Sequence, residues 1–215
     1  MSESEDDMSS RNISLQLQRL FYELQYSDYS VAPKDLTDSV GWCTNESLKQ
    51  HDVQELNSIL RGAIEEKAKG TLMEGSIQEI FEGHCMSYID CISVKHTTKI
   101  KEPFHDLQLD VRGCRDVYAS FDKYVGIERL DGDNKYLTEQ HGLQDARKSV
   151  RFIDFPPVLQ LQLKRFEYDF VSEAMVKIYD RYAFPLELDL DRENGKYLSP
   201  DADWKIRNLF TLHRY

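Results

Sequence analysis

The residues of this 215-residue chain that could act as nucleophile, general base or soft metal ligand are its four cysteines and six histidines. A thiol attacks as the thiolate, so catalysis requires an imidazole placed to take its proton. Cys43, Cys85, Cys91 and Cys114 form no C-x-x-C pair, and His51, His84, His96, His105, His141 and His213 show no local Cys/His arrangement. Cys91 and His96, with His84 and Cys85 nearby, leave a loose metal set open, but no second pair completes a tetrahedron. The other reading of these cysteines is free, partly buried thiols of a reducing compartment.

Two further islands carry recognition chemistry. In Gln50-His51-Asp52-Val53-Gln54-Glu55-Leu56, Asp52 and Glu55 stand three apart, on one helical face. Paired carboxylates match guanidinium or ammonium groups; the plain alternative is a solvated acidic face. Pro156 to Asp169 reads P-P-V-L-Q-L-Q-L-K-R-F-E-Y-D. Leu159, Leu161 and Leu163 alternate with glutamines, the pattern of a half-buried strand. The strand delivers Lys164, Arg165, Phe166 and Tyr168 at its exit.

These islands need elements to hold them. The composition, 40% hydrophobic, can supply a core, and the formal charge of −11 argues against nucleic acid as a partner. No apolar run approaches the ~20 residues of a membrane span, and Met1 to Asp7 lacks the apolar stretch of a signal peptide. Cytoplasm or nucleus is the expected compartment.

Residues 1–11 are expected to be a disordered acidic N-terminus. Ile13, Leu17, Leu20, Phe21 and Leu24 share a helical face, with Asn12 as cap. A second helix is expected from Glu46 to Lys69, with Val53, Leu56, Leu60, Ala63, Ile64 and Lys67 on one side and Gly70 as its stop. Gly62 inside it costs up to about 1 kcal/mol against alanine, and the sequence alone does not show whether it serves close packing. Phe81 to Val94 and Phe104 to Val111 read as strands, joined by a charged hairpin or loop over 95–103. Asp116 is placed to cap a short helix carrying Val117, Phe121 and Tyr124. Leu130 to Asn134 is a turn by composition. Gly142 to Val150 is expected to be another short helix, and Leu209 to Tyr215 the beginning of a strand. Helices first and strands afterwards define an α+β architecture.

Several islands, taken in order, resemble the ubiquitin-specific protease family of ubiquitin carboxyl-terminal hydrolases. They are Q-H-D-V-Q-E-L, G-T-L-M-E-G-S-I-Q-E-I-F-E-G from Gly70, F-H-D-L-Q-L-D-V from Phe104, L-D-G-D-N-K-Y from Leu130, and the Pro156 strand. Asp116 to Tyr124 and Leu186 to Arg192 are most similar to the plant relatives of the herpesvirus-associated branch. The resemblance runs from residue 12 to residue 213. It implies part of a papain-like hand, the fingers with portions of thumb and palm, and residues 12–215 as an incomplete catalytic domain.

The resemblance also implies a reaction: thiol-dependent hydrolysis of the bond after the ubiquitin C-terminus, that is, deubiquitination. By it, His51, Asp52, Gln54 and Glu55 line the thumb side of the channel for the ubiquitin tail, with Asp52 and Glu55 facing its arginines. Leu163, Lys164, Arg165, Phe166 and Tyr168 match the palm motif beside that channel. The family's cysteine box belongs upstream of Ile13, where residues 1–12 hold no cysteine; its histidine box belongs beyond His213. The expectation is therefore no catalytic residue, no metal and no cofactor here, and ubiquitin as a weakly held partner. The alternatives are a segment of an active deubiquitinase from a partial or split gene, or a scaffold or decaying duplicate that does not bind ubiquitin.

Overall fold

The computed structural model of the chain describes residues 12–41 and 53–213, which fall into two units, Met1–Gln78 and Glu79–Tyr215. The expected disorder of residues 1–11 and the expected helix start at Glu46 lie outside the described residues.

In the first unit, α1 (Ile13–Tyr26) begins where the Asn12 side chain accepts a hydrogen bond from the Leu15 amide. Such a cap contributes about 1 kcal/mol. A short α2 (Lys34–Ser39) follows and buries Leu36, and α1 packs against both α2 and α3 (Val53–Ala68). Gly70 ends α3 in the left-handed region at φ +71°, as its position predicts. One expectation is corrected. The deepest side chain of α1 is Gln16, while Phe21 and Leu24, placed on the inner face by periodicity, are 61% and 59% exposed. At Gly62 an added Cβ would meet nothing within 4 Å among the described residues.

After α4 (Ser76–Phe81), the second unit is built on an antiparallel sheet of β1 (Gly83–Cys91), β2 (Thr97–Phe104), β4 (Glu128–Leu130) and β7 (Ala146–Asp154), in the order β2-β1-β7-β4. Cys85, Ser87 and Ile89 are buried, alternating with residues on the other face. Residues 97–104 are thus a strand, so of the hairpin or loop read from sequence over 95–103 it is the hairpin that forms. Six of the side chains of β2 are exposed, so no apolar alternation marks it; pairing with β1 makes it a strand. The helix expected over Gly142 to Val150 is replaced by β6 (Gly142–Gln144) and the start of β7. Leu143, Ala146 and Val150 have helical spacing, but a full ladder with β1 overrides that local preference.

β3 (Leu107–Asp110) leads to α5 (Val117–Tyr124), capped by Asp116 accepting from the Ala119 amide at 2.8 Å. A turn of 3-10 helix at Gly132–Asn134 precedes the small hairpin of β5 (Tyr136–Thr138) and β6. Phe152 of β7 is fully buried at the centre of the core. Its ring stacks on Tyr124 with centroids 5.6 Å apart and meets Phe104, Phe121 and Phe155 edge-on or tilted. Leu107, Leu109 and Val111 close one side of this cluster, and Leu190, Tyr197 and Leu198 another. β11 (Glu187–Asp189) pairs with β12 (Leu209–Thr211), the strand expected near Leu209. The mixture of helices and strands is the α+β architecture read from sequence. Among the described residues no helix is long and apolar enough to cross a membrane.

Candidate functional site

The Pro156 segment forms β8 (Leu161–Lys164), which pairs in parallel with β3. The register sets Leu107, Gln108, Leu109 and Asp110 against Leu161, Gln162, Leu163 and Lys164. Two strands of nearly identical sequence thus lie side by side. The β3 leucines are fully buried, whereas Leu161 and Leu163 are half-buried against the same core. At the strand ends the Lys164 ammonium lies 3.1 Å from the Asp110 carboxylate, whose second oxygen is 2.7 Å from Lys123. The Lys123 hydrogen bond, reinforced by Lys164, holds the Asp110 carboxyl below its ordinary range against the opposing effect of burial.

Arg165 turns the chain. Its guanidinium donates to the carbonyls of Ile178 and Asp180 at 3.3 and 3.2 Å and lies over the Tyr182 ring, 6.0 Å from the centroid. Its backbone carbonyl accepts from the Ile178 amide. Both basic residues are therefore tied into the fold, as brackets that fix where the next strand begins.

That strand, β9 (Phe166–Asp169), pairs antiparallel with β10 (Ala174–Lys177). Tyr168 stands opposite Met175 and Phe166 opposite Lys177, so these four side chains share one face. Phe166 and Tyr168 are 54% and 48% exposed. Tyr168 meets the exposed Phe170 edge-on at 5.3 Å, extending the apolar surface to the hairpin tip. The opposite face carries Glu167, ion-paired with Arg112. Asp169 closes the tip by accepting from the Val171 amide and the Ser172 hydroxyl.

Of the residues read as the thumb side, Gln54 and Glu55 lie in the first turn of α3, Glu55 exposed and Gln54 half-buried. His51, Asp52 and Cys43 lie outside the described residues. The second unit brings together Leu163, Lys164, Arg165, Phe166 and Tyr168. Sequence reading missed Asp110 and the β9–β10 hairpin with its Phe170 and Met175. The repeated pattern L-Q-L-D and L-Q-L-K was the available signal for Asp110.

Cys85, Cys91 and Cys114 are free, and Cys85 and Cys114 are buried. Burial, with the Glu102 carboxylate in support, pushes the Cys85 thiol up, the wrong direction for an attacking thiolate. His84 precedes Cys85 on β1, so the two side chains project to opposite faces. The His84 ring is held by Asp154 at 3.0 Å through Nδ1, and its Nε2 lies 3.5 Å from Glu82, so carboxylates occupy both ends of the imidazole. Among the described residues no group of three or more His, Cys, Asp or Glu side chains is arranged to hold a metal ion.

This parallel LQLD–LQLK pair, with its basic brackets and aromatic hairpin, occurs in a chain whose residues 1–209 match the family described as ubiquitin carboxyl-terminal hydrolase. The chain belongs to that family. It is similar to ubiquitin C-terminal hydrolases 12 and 13 of Arabidopsis thaliana, at 67% and 65% identity, over 99% of this chain and 19% of each relative. Ubiquitin carboxyl-terminal hydrolase 15 of Saccharomyces cerevisiae is 49% identical over 98% of the chain and 18% of its own length. The chain thus spans about a fifth of the length of these relatives.

Proposed function

We propose that these 215 residues hold ubiquitin without hydrolysing it: a ubiquitin-binding portion of a deubiquitinase hand. The observation that carries this reading is the β9–β10 face, where Phe166 and Tyr168 stay half-exposed while Lys164 and Arg165 pin the strand that bears them. Solvent-exposed rings on a pinned strand are ready for a partner, since little side-chain order has to be gained on binding. Glu55 on α3 supplies a carboxylate for an arginine of the ubiquitin tail, and the reading extends this role to Gln54, His51 and Asp52. Binding is weak, because a partial surface gains only part of the interaction energy. What supports the absence of hydrolysis is the Cys85 thiol, which is buried, donates its Sγ–H to the Glu102 carbonyl and is pushed up in pKa by burial, on a strand where the neighbouring His84 projects to the other face. Cytoplasm or nucleus, where ubiquitin is found, is the compartment consistent with this role.

The length of the relatives favours a second reading for the natural context. In a longer polypeptide that supplies the thiol and imidazole, the same surface would hold ubiquitin for cleavage of the bond after its C-terminus. Titration of isotope-labelled ubiquitin tests the first reading. Amide shifts concentrated at the ubiquitin tail are expected, with no release of a fluorogenic amine from the ubiquitin C-terminus. Absence of tail shifts would overturn the binding role, and amine release abolished by alkylation would overturn the inactive one.

A further inference from the structure

The four-stranded sheet of the second unit has a second face, turned away from its core. Cys85, Ser87 and Ile89 of β1 point to the buried side, so Met86, Tyr88 and Asp90 point to the other. Residues directly opposed across strands share a face. The register sets Lys101 and Arg151 on either side of Met86, Lys99 and Ser149 beside Tyr88, and Thr97 and Arg147 beside Asp90. Arg129 of β4 stands opposite Arg147. Lys99, Lys101, Arg129, Arg147 and Arg151 therefore lie on one face, in a chain of net charge −11.

The local charge on this face is only partly balanced. Arg129 is paired with Asp131 at 2.7 Å, and Lys99 lies 3.5 Å from Asp201, while its ammonium also sits 5.4 Å from the Tyr88 ring centroid. Arg151 donates to the carbonyls of Val125 and Val150. Lys101 and Arg147 are exposed, and Asp90, directly opposite Arg147, accepts from the Thr97 hydroxyl at 2.7 Å. The chain's own Asp201 shows that this face already accepts a carboxylate. Asp201 belongs to a segment whose Ser199 hydroxyl meets the Tyr88 hydroxyl at 2.8 Å.

Lysines on an edge strand commonly serve to prevent sheet-to-sheet association, and β2 is an edge. That role accounts for Lys99 and Lys101. It extends to Arg129 on β4, the other edge, and Arg151 is held by two carbonyls, but it does not account for Arg147 on β7, an interior strand.

We propose that this face docks an acidic, extended peptide segment of a partner protein. In an extended chain, acidic residues at alternate positions recur about every 6.8 Å, the spacing of Lys99 and Lys101 along β2. Met86 and Tyr88 supply apolar surface between the rows of cations. A short peptide meets mainly the local field within about 8 Å, whereas a long nucleic acid also meets the repulsion of the whole acidic chain. The proposal stands independently of ubiquitin holding.

The test uses the full chain and a fluorescein-labelled decapeptide of alternating glutamate and threonine, read by fluorescence anisotropy. Binding is expected to weaken about tenfold in K101E/R147E, and by a smaller but measurable factor in K101Q/R147Q. Unchanged binding is expected in K34E/K205E, which applies the same charge reversal elsewhere, and unlabelled ubiquitin in excess should leave the signal unchanged. Equal binding of the glutamine-threonine peptide, equal loss in K34E/K205E, tighter binding of a thymidine decanucleotide, or displacement by ubiquitin would each overturn the assignment. Far-UV circular dichroism on every variant, and the milder glutamine pair, separate a lost site from a lost fold.

Discussion

Asp110 and Lys164 meet at 3.1 Å because they are the fourth residues of two strands with one pattern, L-Q-L-D and L-Q-L-K, paired in parallel and in register. The leucines of both strands face the same core, so a slip by one residue would turn every leucine outward. It would also separate the two charges. Burial and charge therefore specify the same register, and that register aims the chain toward β9.

D110N tests this relation. The folded-state pKa of Asp110 is depressed, chiefly by the Lys123 hydrogen bond and then by Lys164. A depressed carboxyl contributes stability above its unfolded pKa, about 3.9, and the contribution is lost as pH falls through the lower folded value. D110N should therefore lower the urea midpoint at neutral pH, by an amount equivalent to about 1 kcal/mol for a partly exposed ion pair. It should also flatten the acid limb of stability below about pH 4. An unchanged acid limb would show that the pair is not coupled to folding.

F166A and Y168A should separate stability from binding. Both rings are about half-exposed, so each truncation is expected to change unfolding free energy by no more than about 0.5 kcal/mol. If the hairpin face holds ubiquitin, each variant should weaken the ubiquitin titration by about fivefold or more. A large stability loss with unchanged ubiquitin shifts would mark the face as structural.

The helices were legible where a capping side chain and a period agreed, as at Asn12 with Ile13–Tyr26 and Asp116 with Val117–Tyr124. The buried strand Leu107–Asp110 was legible from its alternation. β2 was legible only as one of two alternatives, because both of its faces are largely exposed and only its partner defines it. The start of β7 carries helical spacing, and only long-range pairing with β1 makes it a strand. At the candidate site, Lys164 and Arg165 were visible as residues, but not their roles. Asp110 lies 54 positions before Lys164, and the carbonyls that accept from Arg165 belong to the segment after β10, so sequence spacing alone could not connect them.

G83A should be costly although it adds a single methyl group. The new Cβ would fall 2.6 Å from Phe104 Cζ, 2.7 Å from Pro156 Cδ and 3.0 Å from the Asp154 carbonyl oxygen. Phe104 and Pro156 are buried, so neither can yield freely. The expected cost is about 1–3 kcal/mol, with Phe104 displaced from its contact with Phe152. A thermal midpoint equal to that of the parent chain would show that the backbone at Gly83 yields.

Thiol reactivity tests whether any described cysteine can supply a thiolate. Cys85 and Cys114 are 7% and 5% exposed, Cys85 gives its Sγ–H to the Glu102 carbonyl, and burial raises its pKa. Thiolate supply and access are thus both poor, and reaction should require local or global opening. Under native conditions at pH 7, iodoacetamide followed by peptide mapping should leave Cys85 and Cys114 largely unmodified, while the half-exposed Cys91 reacts. In urea all three should react at similar rates. Rapid native modification of Cys85 would reveal an activated thiol on β1 and would count against the proposal that these residues do not hydrolyse ubiquitin conjugates.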